Sequence, residues 1–327
     1  MKQRQGNNMH YLVTGAAGFI GSQVCERLLS EGHQVRGIDC FTDYYSRKLK
    51  DLNLEQARGH ASFELVEQDL VTSDLAKLLD GVDIVIHLAA QAGVRASWGA
   101  NFTIYTHNNI LSTQALLEAG KAGGFKRLVY ASSSSVYGDT QDLPMREASA
   151  CWPVSPYGVT KLAAEHLCGL YHKNFGVDTV SLRYFTVYGP RQRPDMAFHR
   201  FIKALLTGGE IRLFGDGEQS RDFTFVSDIV DATIAAATVE DVSGQVFNLG
   251  GGARVTVNQV IAWLEDITGQ KANLTRLEVA KGDVRDTQAD TSRARAKLDF
   301  DPRYDLKKGL KAEAEWVESM LPVLKEA

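Results

Sequence analysis

The stretch TGAAGFIG, residues 14–21, decides the fold, because it sets three glycines between two segments of different periodicity. The apolar run before it, residues 11–14, is typical of a buried strand, and residues 20–32 have the apolar spacing of a helix. Glycines at such a junction let the backbone turn tightly and approach a pyrophosphate, while the helix N-terminus supplies N–H donors. The stretch therefore predicts a phosphate-binding turn formed by Gly15, Gly18, Phe19, Ile20 and Gly21.

An acidic residue follows where a dinucleotide site requires one. Asp39 ends the next predicted strand, residues 34–39, and lies 18 residues after Gly21. A carboxylate there can accept hydrogen bonds from both hydroxyls of an adenosine ribose, and it would repel a 2′-phosphate. The glycine turn and the acid together predict NAD, rather than NADP, as the cofactor.

The first half of the chain continues to alternate short apolar strands with helical patterns. Strands that are apolar on both faces and separated by helices predict a doubly wound parallel sheet with helices on each side. Ligands bind along the edge where the carboxyl ends of such strands meet. The predicted strands are 11–14, 34–39, 63–69, 83–90, 127–133 and 178–185, and the predicted helices are 20–32, 108–123 and 156–176.

The pattern changes after Tyr188, where a loop rich in Pro and Arg, residues 189–195, begins. We interpret residues 1–186 as a nucleotide-binding domain and residues 187–327 mostly as a smaller mixed α/β substrate lobe. Part of that lobe, residues 223–250, is expected to return to the first domain. Its predicted elements are helices near 196–207, 257–268 and 306–320 and a strand near 247–251.

Composition and charge argue against several classes of function. The formal net charge of −4 disfavours nucleic-acid binding through bulk charge. The polar residues 1–8 have no apolar segment behind them, so we expect a disordered leader and no secretory signal. The longest apolar stretches are too short for a membrane span. The cysteines lack metal-binding spacing, which predicts free thiols, no metal site and a cytoplasmic protein; they are Cys25, Cys40, Cys151 and Cys168.

Two residues of the helix at 156–176 are suited to proton transfer. Tyr157 and Lys161 stand at positions i and i+4, so they share one helix face. A nearby ammonium and a positive nicotinamide ring would favour the phenolate, making the tyrosine a general base for an alcohol that loses hydride. This spacing is common in helices, but here the helix follows a strand that ends in the serine run 132–135, and a hydroxyl there can reach the same substrate oxygen. That context favours the catalytic interpretation of Tyr157 and Lys161, with one of the four serines beside them.

These motifs together resemble the extended short-chain dehydrogenase/reductase superfamily, and within it the nucleotide-sugar 4-epimerases, with features of the branch that acts on UDP-glucuronic acid. The resemblance runs from Tyr11 to about Leu298 and implies a Rossmann-type α/β fold. The motifs that carry it are TGAAGFIG, HLAA, NILST, SSSSVYG, SPYGVTK, LRYFTVYGPRQRPDM and SRDFTFVSD.

The resemblance also implies roles for further residues, and it implies that Ser133 is the catalytic serine, since this residue falls at the position of the family's catalytic Ser or Thr. The cofactor would be contacted by Asp69, Leu70, Leu88, Ala89, Ala90, Asn109 and Tyr184, in addition to Tyr157 and Lys161. The substrate would be contacted by Arg221 at its diphosphate, by Arg95 near the sugar, and at its carboxylate by Thr186, Arg193, Ser133, Ser134 and Ser135.

One position departs from the pattern of the family. Many 4-epimerases carry a second diphosphate arginine in the slot that Ala280 occupies here, and the sequence leaves open whether Lys281 or Arg285 replaces it. Related decarboxylases place a glutamate directly before VYG, and dehydratases place an acidic pair there, whereas this chain has Ser134 and Ser135. The resemblance therefore implies 4-epimerisation of UDP-glucuronic acid to UDP-galacturonic acid through a 4-keto intermediate.

Alternatives remain at this point. They are a UDP-glucose 4-epimerase, a UDP-glucuronate decarboxylase and, more remotely, a non-catalytic NAD(P) sensor, against which the intact Tyr and Lys pair argues. The resemblance also implies a homodimer formed through the helices near 101–120 and 157–175.

Overall fold

The computed structural model describes residues 8–252 and 254–324, so of the expected leader only residue 8 is described. The strands of these residues are β1 (His10–Thr14), β2 (Gln34–Asp39), β3 (Phe63–Glu67), β4 (Ile84–His87), β5 (Arg127–Ser133), β6 (Thr179–Tyr184), β7 (Thr186–Tyr188), β8 (Glu210–Phe214), β9 (Ser220–Phe225), β10 (Val246–Leu249), β11 (Arg254–Thr256) and β12 (Asn273–Leu277).

The helices lie between these strands and after them. They are α1 (Phe19–Ser30), α2 (Arg47–Asn53), α3 (Glu55–Arg58), α4 (Leu75–Leu78), α5 (Phe102–Tyr105), α6 (Ser112–Lys121), α7 (Pro156–Phe175), α8 (Ala197–Thr207), α9 (Val226–Thr238), α10 (Val257–Thr268), α11 (Ser292–Leu298) and α12 (Leu306–Leu324). A π-helical segment, Thr106–Leu111, joins α5 to α6.

Seven parallel strands form the central sheet in the order β10-β6-β5-β4-β1-β2-β3. The chain order reverses between β1 and β4, and a crevice forms at such a reversal beyond the carboxyl ends of the strands. This arrangement confirms the predicted fold class, a Rossmann-type doubly wound α/β sheet. The predicted site residues therefore lie along one edge of the sheet, at the carboxyl ends of β1, β2, β4, β5 and β6.

The long helix α7 shows how local sequence fixes one side of this edge. The Ser155 hydroxyl accepts a hydrogen bond from the N–H of Gly158 at 3.1 Å and caps the helix, and Pro156 occupies its first turn. The helix ends at Gly176, which has the left-handed φ of +71° common at helix ends. Helix α7 packs on β5 and on the turn that follows this strand, so its first turn, with Tyr157, lies beside the end of β5.

The second half of the chain adds two small sheets, one of β11, β9 and β7 and one of β12 and β8. Helix α8 packs against α10 and α12 beside them. Aromatic rings fill the space between: Phe198 and Phe223 have centroids 4.5 Å apart, and Tyr188 meets both edge-on. By contrast β10 pairs with β6 in the central sheet, and α9 packs on α1.

Candidate active site

The glycine turn joins β1 to α1 in a conformation that glycine allows. Gly15 has a left-handed φ of +68°, and its carbonyl accepts a hydrogen bond from the N–H of Gly18 at 3.0 Å. A Cβ on Gly21 would lie 2.1 Å from the Gly15 oxygen, so only glycine permits this close approach. Gly18 provides no side-chain cap, and the N–H of Ser22 makes the first helical bond. The N–H groups of residues 19–21, in the first turn of α1, are therefore suited to a pyrophosphate.

The Asp39 carboxylate at the end of β2 is fixed by two backbone N–H groups. That of Phe41 donates to Oδ1 at 2.8 Å, and that of Ala17 donates to Oδ2 at 3.1 Å. Burial raises the carboxyl pKa, while these bonds and the charge of Lys50 act against the rise. Lys50, which sequence reasoning missed, donates to the Thr42 carbonyl, and both Asp39 and Lys50 line the cavity. This corner of the cavity is suited to a ribose diol.

A buried hydrogen-bond chain orients the segment after β4. The Thr14 hydroxyl accepts from the N–H groups of Leu88 at 3.1 Å and Ala89 at 3.0 Å, and it lies 2.7 Å from Nδ1 of His87. The other ring nitrogen of His87 lies 3.0 Å from the Thr113 hydroxyl. Burial lowers the His87 pKa to about 3, so the ring is neutral at physiological pH. Leu88 and Ala89 are thereby held on the cavity wall.

One cavity lies beyond the carboxyl ends of β1 and β4, where the chain order reverses, and most of the predicted cofactor residues line it. The predicted residues that line it are Gly15, Gly18, Phe19, Ile20, Gly21, Asp39, Asp69, Leu70, Leu88, Ala89, Ala90, Tyr157, Lys161, Tyr184 and Arg193. Its wall also contains residues that sequence reasoning missed, among them Ile38, Cys40, Thr42, Tyr44, Tyr45, Lys50, Gln68, Gln91, Asn108, Ser112 and Ser132.

Three predicted cofactor residues also have structural partners. Asn109 lies behind the wall, where its amide binds the main chain of Gln91 in both directions, at 2.7 and 3.0 Å. Asp69 receives a hydrogen bond at 2.9 Å from the His107 ring, and the Tyr184 hydroxyl pairs with a threonine of α9 at 2.8 Å. Asn109 thus fixes the main chain of Gln91, which lines the cavity, whereas Asp69 and Tyr184 line the cavity themselves.

Tyr157 lies on the cavity wall with its ring edge toward Tyr105, at 6.2 Å between centroids. Burial raises its pKa, whereas a hydrogen bond with Ser133 and the charge of Arg193 lower it. The sequence predicted that Lys161 would supply the lowering charge. In the structure burial lowers the pKa of Lys161 itself to about 7, and its Nζ donates to the Ala131 carbonyl at 2.6 Å. Burial therefore weakens the positive charge that Lys161 can offer to Tyr157.

The four serines at the end of β5 have different partners. The Ser132 hydroxyl donates to Glu165 at 2.6 Å, and Glu165 forms a buried ion pair with Arg183 at 2.6 Å. The Ser133 oxygen accepts from the N–H of Ser135 at 3.1 Å and starts a 3₁₀ turn, Ser134–Val136. Ser132 therefore has a structural partner, Ser133 contacts Tyr157, and the next two serines are half-buried.

The loop after β7 brings a guanidinium to the same cavity. Arg193 lies on the wall with its Cζ 5.9 Å from the centre of the Tyr44 ring. It forms a two-point ion pair with Asp195, from Nε to Oδ1 and from Nη2 to Oδ2, both at 3.0 Å. Sequence reasoning missed Asp195, although it stands two residues after Arg193. Thr186 is half-buried at the start of β7 and lies off the cavity wall.

Arg221 and Arg95 lie off this wall, toward the second lobe. Arg221 donates to the carbonyls of Ser220 at 2.9 Å and Arg285 at 3.1 Å, and burial lowers its pKa. Arg95 pairs with Asp283 at 2.7 Å. Both Arg95 and Asp283 influence the pKa of Arg221, so the three charges are neighbours.

Lys281 and Arg285, the two candidates to replace the arginine that is absent at Ala280, differ in their surroundings. Arg285 donates to both carboxylate oxygens of Asp216, at 2.9 and 3.1 Å, while Lys281 is exposed. Arg95 in addition stacks on the Phe214 ring at 3.9 Å. Of these side chains Arg95 has the closest electrostatic link to Arg221.

Two observations bear on other classes of site. Within residues 8–252 and 254–324, no group of three or more His, Cys, Asp or Glu side chains is arranged to hold a metal ion. Over the same residues, none of the helices combines the length and the apolar character needed to cross a bilayer.

Comparison with known proteins identifies relatives over almost the whole chain. A protein of Bacillus subtilis named as an uncharacterized UDP-glucose epimerase is 47% identical, covering 95% of this chain and 99% of its own. The UDP-glucuronate 4-epimerase of Thermodesulfobacterium geofontis is 41% identical over 97% of this chain and 98% of its own.

Solved structures agree with these relatives. The crystal structure of UDP-glucuronic acid 4-epimerase from Bacillus cereus, in complex with UDP-glucuronic acid and NAD, superposes with a TM-score of 0.93 at 45% identity. The match covers 95% of this chain and 100% of that one. Residues 11–250 match the model of the NAD dependent epimerase/dehydratase family. The chain therefore belongs to the NAD-dependent epimerase/dehydratase family.

Proposed function

We propose that this protein interconverts UDP-glucuronic acid and UDP-galacturonic acid by inverting C4 of the sugar. The observation that carries the proposal is the position of Arg193, a cation on the wall of the cavity that also contains Tyr157. A guanidinium next to the reacting centre suits a sugar that carries a carboxylate, because such pairs form charge-assisted hydrogen bonds. The relatives named for this activity support the same substrate.

NAD is the cofactor of this family, and the cavity fits it. The glycine turn can pack this closely on itself and on Ala89 only because Gly15 and Gly21 lack side chains, and Asp39 is held where a ribose diol could bind. When bound, NAD supplies the acceptor and then the donor of the hydride at C4. Since the hydride returns, no net reductant is needed.

The chain's own residues handle the proton. Tyr157 takes the proton of the C4 hydroxyl and later returns it, and the Ser133 hydroxyl, which lowers the pKa of the phenol, orients that proton. Burial raises the Tyr157 pKa, so deprotonation depends on positive charge nearby. Arg193 supplies part of that charge, and Lys161, with a pKa of about 7, supplies part below neutral pH.

The sugar carboxylate must be held while C4 is a ketone, because an acid β to a ketone readily loses carbon dioxide. We propose that Arg193, Thr186 and the hydroxyls of Ser134 and Ser135 hold it. We also propose that Arg221 and Arg95 bind the diphosphate, with Arg95 taking the role of the arginine missing at Ala280. On this basis residues 187–327 contribute Arg193 and Arg221 to the UDP-sugar site, and residues 1–186 supply the cofactor site together with the other proposed substrate contacts.

Product analysis by NMR tests the proposal directly. Purified protein incubated with UDP-glucuronic acid, and no added reductant, should produce UDP-galacturonic acid. Arg193→Ala should weaken the binding of UDP-glucuronic acid far more than the binding of UDP-glucose. Release of carbon dioxide with a pentose product would show a decarboxylase instead, and equal losses for both sugars would remove the carboxylate argument.

A second candidate is epimerisation of UDP-glucose, favoured by the name of the 47% identical relative. A neutral sugar makes no use of the Arg193 charge. Offering both sugars to the same preparation and comparing kcat/KM decides between the two. A higher value for UDP-glucose would replace the glucuronate proposal.

We propose that the active form is a homodimer joined through the helical residues near 101–120 and 157–175, which pack on each other in the monomer. Large apolar side chains are exposed on this surface: Leu111 at 48%, Leu170 at 53% and Phe175 at 55%. Large apolar side chains exposed on neighbouring helices favour an interaction surface at this face. Leu170→Glu should shift the mass measured by light scattering from dimer to monomer, whereas Val279→Glu, at an exposed apolar site on the second lobe, should not.

A cytoplasmic location is consistent with the thiols. All four cysteines are free, and Cys25 and Cys168 are buried. We propose that the protein works in a reducing compartment, where free thiols persist.

A further inference from the structure

Asp195 occupies one edge of the Arg193 guanidinium. The two side chains make parallel hydrogen bonds from Nε to Oδ1 and from Nη2 to Oδ2, each 3.0 Å long. A guanidinium has five N–H donors, and this arrangement uses two of them. Nη1 has no hydrogen-bond partner within residues 8–252 and 254–324. One edge of Arg193 is therefore paired, and the other can receive a second carboxylate.

Asp195 is itself held by a third residue. The Tyr44 hydroxyl donates to its Oδ2 at 3.1 Å. Tyr44 belongs to the loop after β2, and a Cβ on Gly93 would lie 2.5 Å from the Tyr44 oxygen. The carboxylate is thus fixed between the loops that follow β2, β4 and β7, and it remains ionised because the Arg193 charge lowers its pKa.

The proposed reaction makes a particular demand on Arg193. Hydride leaves one face of C4 and returns to the other, so the ring must present both faces to the same cofactor. The carboxylate on the neighbouring carbon then has to change its place during each turnover. A half-buried arginine whose only partner was that carboxylate would hold it strongly, and such a hold slows any step that breaks the contact.

We propose that Asp195 is a positioning residue that shares Arg193 with the sugar carboxylate and so keeps that contact weak enough for the 4-keto sugar to turn. This inference rests on the proposed function. It assigns Asp195 a role in the rate of turnover, not in the strength of substrate binding. Removing its charge should tighten ground-state binding of the uronic acid and slow the reaction.

Asp195→Asn tests the proposal, since it keeps the size of the side chain and removes its charge. Two carboxylates on opposite edges of a guanidinium lie about 6 Å apart, and we expect about a tenfold effect after screening, because 35% of the Asp195 side chain is exposed. Titration of UDP-glucuronic acid into NAD-loaded Tyr157→Phe, with and without Asp195→Asn, should show Kd about tenfold lower in the double variant. In the single variant kcat should fall by about tenfold.

Two controls and one substitute variant accompany this test. UDP-glucose should bind both proteins with Kd values within about twofold, because it has no carboxylate to share Arg193. Asp301→Asn removes the same charge from an exposed ion pair with Arg295 and should change nothing. If Asp195→Asn fails to fold, the same measurements are made with Asp195→Ser, which removes the charge and has a smaller side chain.

Weaker or unchanged binding of UDP-glucuronic acid in the variant would overturn the proposal, and so would equal tightening of UDP-glucose. A loss of kcat with a rise in KM would show an ordinary supporting role. Failure of the proposed function is distinguishable, because it would appear as absence of UDP-galacturonic acid with the wild-type protein.

Discussion

Gly21→Ala tests the claim that the turn at residues 15–21 holds the dinucleotide. The added Cβ would lie 2.1 Å from the Gly15 carbonyl oxygen, whereas ordinary contacts begin near 3.4 Å. Gly15 has no room to give way, since a Cβ on it would lie 2.9 Å from the backbone of Ala89. The first turn of α1 must therefore move by at least about 1 Å, at an overpacking cost of about 1–3 kcal/mol.

That displacement falls on the N–H groups proposed to bind the pyrophosphate. We expect NAD affinity to fall by about 10- to 100-fold, since each 1.4 kcal/mol is a factor of ten. The assay is isothermal titration of NAD into protein from which bound dinucleotide has been removed. Circular dichroism of the same samples would establish that the variant is folded.

Gly169→Ala is the matched control, because it introduces the same methyl group into the middle of α7, where a Cβ would meet nothing within 4 Å. It should leave NAD affinity unchanged and stabilise the protein by about 0.5–1 kcal/mol through helix propensity. The reasoning is refuted if folded Gly21→Ala binds NAD within about threefold of the wild type.

Three further predictions concern buried groups of the site. Glu165→Gln leaves the Arg183 guanidinium buried without its counter-ion, so we expect a loss of about 3–5 kcal/mol, measured as a lower melting temperature; an unchanged melting temperature would contradict it. The pKa of buried Lys161 lies near 7, below its ordinary 10.5, so the unfolded chain binds more protons between these values. The free energy of unfolding should therefore rise from pH 7 to 10 more steeply in wild type than in Lys161→Met, and parallel slopes in urea titrations would argue against the shift. Tyr157→Phe should keep NAD binding and lower kcat by about 10²- to 10⁴-fold, and normal turnover would exclude it as the base.

The sequence predicted those parts of the fold that local patterns determine. The strand at 127–133 and the helix at 257–268 have the predicted bounds, since each is a continuous apolar pattern. The family predicted from TGAAGFIG and its companion motifs is confirmed. By contrast β7 and β11 have three residues each, too few for a pattern to form, so the sheet of β11, β9 and β7 was not foreseen.

The missed features of the site depend on contacts between distant segments. The local sequence does not distinguish Ser132 from Ser133. The structural role of Ser132 depends on its hydrogen bond to Glu165, which lies 33 residues further along the chain. The chain alternates its side chains between the two faces of a strand, so neighbouring serines point to different surroundings. Likewise the expectation that Lys161 lowers the Tyr157 pKa could not include the burial of both groups.

Arg193 has two effects in the proposed reaction, and they oppose each other. Its charge lowers the pKa of Tyr157, but a sugar carboxylate bound to the same guanidinium neutralises that charge. The Tyr157 pKa should therefore be higher in the complex with UDP-glucuronic acid than in the complex with UDP-glucose. The near-ultraviolet absorbance of tyrosinate, taken as wild type minus Tyr157→Phe across pH, measures this difference. Arg193→Ala should remove it and raise both pKa values, because neither complex then has the cation. A pKa that is the same in both wild-type complexes would mean that the carboxylate does not reach Arg193, and the assignment of this residue to substrate recognition would have to be abandoned.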